Sequence, residues 1–155
     1  MKLSAIFEEK PESWGFCELL EKPYWIVDIM PHQVPKNSAG QYFAVEHYYR
    51  TEPRSAAVRQ KYVDLILKLN CYLDLSLDEK PEINPDPDRI AEAIRERYVS
   101  IRIGNALIVS DPDDTYLTVY NPDETLLALI GRTAAGEGLF VWQPEDAANN
   151  GQTSR

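Results

Sequence analysis

Between residues 52 and 69, Val58, Tyr62, Leu65, Ile66 and Leu69 recur at the three- and four-residue steps that line one side of an α-helix. Thr51 is placed to cap that helix, and Pro53 fits its first turn, where amide protons lack intrahelical acceptors. Asp64 and Lys68 form an i, i+4 pair on its outer side. After Asn70 the period shortens. In Cys71-Tyr72-Leu73-Asp74-Leu75-Ser76-Leu77 every second residue is apolar, which predicts a strand with one buried face and Cys71 packed inward. A proline- and acid-rich connection over 78–87 follows. A shorter helix is predicted over 87–97, capped by Asp86, with Ile90, Ala91 and Ile94 facing inward.

The second half of the chain alternates cleanly. Strands are predicted over 98–103 and 106–110, joined by Gly104-Asn105, residues that accept the positive φ of a tight hairpin turn. Asp111-Pro112-Asp113-Asp114 makes the next turn and 115–120 a third strand, completing a three-strand meander. Asn121-Pro122-Asp123-Glu124 reads as a helix opening, with Asn121 as cap and Glu124 reaching back. Leu126, Leu127, Leu129 and Ile130 supply the apolar stripe, and Gly136 and Gly138 end the helix. The near-continuously apolar segment 138–142 predicts a last strand, central or well covered. Residues 145–155 hold little that can pack and are expected to form a flexible tail.

The first fifty residues are less regular. Leu3 to Glu9 suits a helical turn or two, and 24–30 suits a buried strand closed by Pro31. Residues 40–50 fit a strand and an aromatic-rich helix equally well. The elements add up to one α+β domain over 1–144: a mixed, mostly antiparallel sheet with the C-terminal meander, and helices packed on one face.

Charge narrows the possible partners. Sixteen Lys and Arg stand against 25 Asp and Glu, a net charge of −9, which disfavours attraction to nucleic acid or anionic lipid. No apolar run is long enough to cross a bilayer, and the N-terminus turns acidic where a signal peptide needs its apolar stretch, so a cytoplasmic protein is expected. Cys17 and Cys71 then read as free thiols, both packed. Acidic residues concentrate over 74–92 and 111–124, while 50–68 is locally basic.

Candidate chemistry is sparse. The glycines of 131–138 follow a helix and lack the Lys-Ser/Thr ending of a phosphate loop, so they read as helix termination. Zinc would draw on Cys17, His32, His47 and Cys71, all distant in sequence. Asp111, Asp113 and Asp114 have carboxylates at near-alternating places, as calcium or magnesium sites do, but Pro112 makes them turn formers first. No nucleophile, metal set or cofactor motif emerges, and neither catalytic residues nor a cofactor is expected.

Two functions fit. The first is a non-catalytic acidic domain that docks a basic protein, for instance an immunity-type inhibitor of a basic toxin. Asp111, Asp113 and Asp114 would be its contacts, with Glu79 and Glu82 behind them. The second is a small enzyme or small-ligand domain with a pocket between the N-terminal aromatic region and the sheet, using His47, Glu46 or Asp28 as acid or base. Oligomeric state leaves no mark on the sequence.

Overall fold

A computed structural model describes residues 15–37, 40–145 and 147. Its elements are α1 (Phe16–Leu19), β1 (Tyr24–Asp28), α2 (Tyr42–Arg50), α3 (Arg54–Asn70), β2 (Ser76–Leu77), α4 (Pro87–Glu96), β3 (Val99–Ile103), β4 (Ala106–Ser110), β5 (Tyr116–Tyr120), α5 (Glu124–Gly136) and β6 (Phe140–Trp142). The six strands form one open sheet in the order β2-β3-β4-β5-β1-β6. Every pair is antiparallel, so the α+β architecture is present with no parallel pairing in the sheet.

Register sorts the side chains onto two faces, because residues directly opposite across a ladder point the same way. Leu77, Ile101, Ile108 and Val119 line up across four strands, and Leu117, Val27 and Val141 across three. This face is almost wholly apolar and meets Tyr62, Ile66 and Leu69 of α3, Ile90 and Ile94 of α4, and Ile130 of α5 in one core. On the opposite face stand Arg102, Leu107, Tyr120 and Tyr24 in one row, with Ile26 and Thr118 in the next. Leu19, Ile26 and Leu107 are buried but lie outside the main core, where the short α1 comes to β4. Helices therefore do not all share one face: α3, α4 and α5 cover the first, and α1 caps part of the second.

Several local expectations are corrected. Cys71 belongs to no strand: its amide donates to the Lys68 carbonyl in the turn closing α3, and it is exposed, as is Cys17. The ladder begins only at Ser76, because the chain must first turn away from the helix. Asn121 adopts a positive φ and Asp123 is the true cap of α5, accepting from the Leu126 amide at 2.7 Å. Lys68 reaches across to Glu137 instead of pairing with Asp64, which receives Gln60. The Thr51 side chain does not cap α3: its hydroxyl donates back to the His47 carbonyl and closes α2, while its main-chain carbonyl accepts the Arg54 and Ser55 amides. The last strand is an edge, and Phe140 is 45% exposed. It is apolar because Val141 packs on the core while Trp142 lies on the other face.

The predicted helical turns over residues 3–9 lie outside the described residues. Within the expected tail only Glu145 and Ala147 are described, and Ala147 is buried, its amide donating to Pro144.

Tyr62 ties the layers together. It is fully buried, and its hydroxyl lies 2.6 Å from the Thr115 carbonyl and 3.2 Å from that of Val27. Burial, helped by Asp28, lifts its pKa far above the usual phenol range. Tyr62→Phe leaves those carbonyls without the donor, and a loss of roughly 1–2 kcal/mol in urea unfolding is expected. An unchanged midpoint would show that the hydroxyl adds nothing.

Candidate functional site

The second face of the sheet is only partly covered. Between α1, the 29–37 loop and the N-terminal end of α2 it opens into a hollow of about 570 Å³. Such a volume accommodates a side chain or a small molecule. Its floor is built by strand alternation: Tyr24, Ile26 and Asp28 from β1 face Tyr120, Thr118 and Tyr116 of β5, and Trp142 lies beside Ile26 from β6. Tyr42 closes one side from α2.

Asp28 is the unusual residue. It ends β1 only 7% exposed, and its Oδ1 has no hydrogen-bond partner of normal geometry. The nearby indole Nε1 of Trp142 is likewise buried without one. Burial raises the Asp28 pKa; the Met30 and Ile29 amides and the Trp142 indole pull it back, and Glu46 adds to the rise. The Trp142 indole lowers the pKa of the carboxylate although no hydrogen bond of normal geometry joins the two. A buried acceptor left unpaired is costly, on the order of 1–3 kcal/mol, and marks a place where a donor belongs.

Around it lies a shared field. The Tyr42 hydroxyl donates to Glu46 at 3.3 Å, and burial together with Glu46 pushes the Tyr42 pKa up to about 12. Tyr116 is raised first by burial, then by Asp114, Glu46 and Asp28. Asp114 is itself raised by burial and Asp111, against Arg50 and Arg59. Arg50 meets Glu46 loosely, at 3.8 Å, from a half-exposed position. Carboxylates and tyrosines thus crowd one end of the hollow; Arg50 and Arg59 offset Glu46 and Asp114 from outside, but among the described residues no Lys, Arg or His lines the hollow beside Asp28. The arrangement suits a positively charged group: carboxylate oxygens accept its N–H bonds, and aromatic faces attract its charge.

The residues singled out from the sequence fall in different places. Asp111, Asp113 and Asp114 form the turn from β4 to β5, at the Asp28 end of the sheet. Asp111 Oδ1 accepts from the Asp113 amide at 2.9 Å, which makes it a turn former. Asp114 comes close enough to Tyr116 to join the field of the hollow. Glu79 and Glu82 lie beyond β2 at the far side of the sheet, where Glu82 pairs with Arg89 at 2.9 Å. Of the acid–base candidates, Asp28 lines the hollow and Glu46 reaches it through Tyr42, while the His47 side chain is exposed. Trp142 and Tyr116 escape the sequence reading as individual site residues, whereas Tyr42 belongs to the N-terminal aromatic region that the sequence assigns to a pocket. Among the described residues no group of three or more His, Cys, Asp and Glu is placed to hold a metal ion. No helix among them is long and apolar enough to cross a membrane.

Comparisons with protein-family models, with curated proteins and with solved structures found no match. Function therefore rests on the geometry alone.

Proposed function

We propose that the protein binds a basic partner without chemically altering it, and that the hollow over β1 and β5 seats one cationic side chain of that partner. The observation that carries this is the unpaired Oδ1 of Asp28, buried among Tyr42, Tyr116 and Trp142. A guanidinium or ammonium group supplies the missing donor and neutralises the charge that burial disfavours. Beside the hollow, α2 buries none of its own residues and exposes Phe43 (76%) and Tyr48, rings suited to contact with a protein surface. The net charge of −9 favours encounter with a basic protein. A cationic toxin held by an immunity-type inhibitor is one such partner.

Calorimetric titration with a short arginine-bearing peptide and its citrulline counterpart tests this. The arginine peptide is expected to bind, with affinity falling as salt is raised, and the isosteric neutral peptide is not. Equal binding of both would remove the cation from the proposal. A second reading, a small-molecule pocket with Asp28 as acid, is favoured by that residue's raised pKa. Free methylguanidinium binding as tightly as the peptide would select it.

A further inference from the structure

A second hollow lies at the opposite end of the sheet from the Asp111–Asp114 turn, where the α3–β2 connection, the β3–β4 hairpin and the start of α5 converge. Its volume is about 320 Å³. Asp74 enters it 1% exposed. One carboxylate oxygen, Oδ1, accepts from Asn84 Nδ2 at 2.8 Å; the other, Oδ2, is buried with no partner. The side-chain oxygen of Asn105, in the same lining, is also buried and unpartnered.

Asp74 is held in place deliberately. Asn84, at a positive φ of 56°, donates to Asp74 and accepts from Asn70 Nδ2 at 2.8 Å and from the Leu75 amide at 3.1 Å. Across the hollow, Asn121 Nδ2 donates to the Asn105 carbonyl at 2.9 Å and pins the hairpin. The carboxylate therefore cannot swing out to water without breaking this frame. Asp123 adds a second negative charge, and among the described residues no Lys, Arg or His lines the space. Leu73, Ile103, Ala106, Pro122 and Leu126 make the remaining wall largely apolar.

Both unpaired atoms are acceptors, so the occupant must donate hydrogen bonds, and the charge asks for a cation. An apolar wall beside a single buried carboxylate suits a short hydrocarbon body on that cation. We infer that this hollow is a separate binding site for the ammonium group of a small primary amine, with Asp74 Oδ2 and Asn105 Oδ1 as its acceptors. It shares no lining residue with the Asp28 hollow, and the two carboxylates, Asp74 and Asp28, stand toward opposite ends of the strands.

Nuclear magnetic resonance on the isotope-labelled full chain tests the site, with propylammonium chloride as the probe. The amide signals of Gly104, Asn105 and Ala106 are expected to move and saturate with propylammonium, and to stay in place with 1-propanol or potassium chloride. Asp74→Asn is expected to weaken the response by about tenfold or more, close to 1.4 kcal/mol, whereas Asp28→Asn leaves it unchanged. Equal movement with propanol would make the hollow merely apolar, and equal movement with potassium would make it an inorganic cation site; either overturns the proposal, as does no movement at all. Should Asp74→Asn fail to fold, Thr125→Lys supplies an independent check from the exposed rim of the same hollow. A tethered ammonium there is expected to raise the melting temperature and block propylammonium. Undiminished probe binding in that variant would equally sink the site.

Discussion

Exchanging Asp28 for asparagine should make the protein more stable near neutral pH while removing its affinity for the cationic peptide. Burial raises the Asp28 pKa, so the folded chain holds this proton more tightly than the unfolded chain does. The stability it contributes is present in acid, below the unfolded value, and is lost as the pH rises through the raised folded value. Asparagine keeps the shape and carries no charge to bury, so a gain of about 1 kcal/mol near neutrality is expected, shrinking toward zero in mild acid. Binding should move the other way, with a loss of roughly 2 kcal/mol or more, about thirtyfold, because the partner's cation then meets no counter-charge. Thermal melts across the acid range and the calorimetric titration read the two effects separately. A variant that melts lower at every pH, or still binds arginine peptide fully, contradicts the role given to this carboxylate.

Arg59→Ala is expected to be the most damaging substitution for the fold, by about 3 kcal/mol. The side chain is 4% exposed, and its guanidinium donates to Ser110 Oγ at 3.0 Å and to the Asp114 carbonyl at 2.9 Å while lying over the Tyr62 ring at 4.9 Å. Its pKa is lowered by burial, against the pull of Tyr62, Asp114 and Asp111. Truncation removes this packing, strips two acceptors of their donor and unties the β4–β5 turn from α3. Arg59→Lys keeps a charge but loses the fork and should fall between the two. Urea unfolding of the three proteins gives the order directly; an alanine variant within about 0.5 kcal/mol of the parent would show the guanidinium to be a passenger.

How much of this was readable beforehand depended on where the information lay. The meander over residues 99–120 was legible because alternation, Gly104 and the aspartate turn all act within a few residues of one another. The α4 helix was legible for the same reason: Asp86 caps it through the Asp88 amide and Pro87 opens it. The α2 helix is ambiguous because none of its residues is fully buried: only Tyr42, Val45 and Glu46 are half-buried, and large rings also stand at the exposed positions Phe43, Tyr48 and Tyr49. Alternation over 71–77 suggested a strand, but the backbone there is spent first on closing α3. Asp28 carries a signal of its own, an acid inside the apolar run 24–30. Its neighbours Tyr116 and Trp142 become neighbours only through the pairing of β1 with β5 and β6, about ninety and a hundred and ten residues away. The Asp74 hollow was hidden in the same way, since hairpin, helix start and connection meet only after folding.

The sheet's two margins have a consequence for the protein in concentrated solution. β2 has two residues and β6 three, so each border presents few free main-chain donors and acceptors. A neighbouring molecule gains little by zipping onto such stubs, and the like charge of identical copies pushes them apart. Polymerisation through strand addition is thereby disfavoured, even with Phe140 open to water on one border.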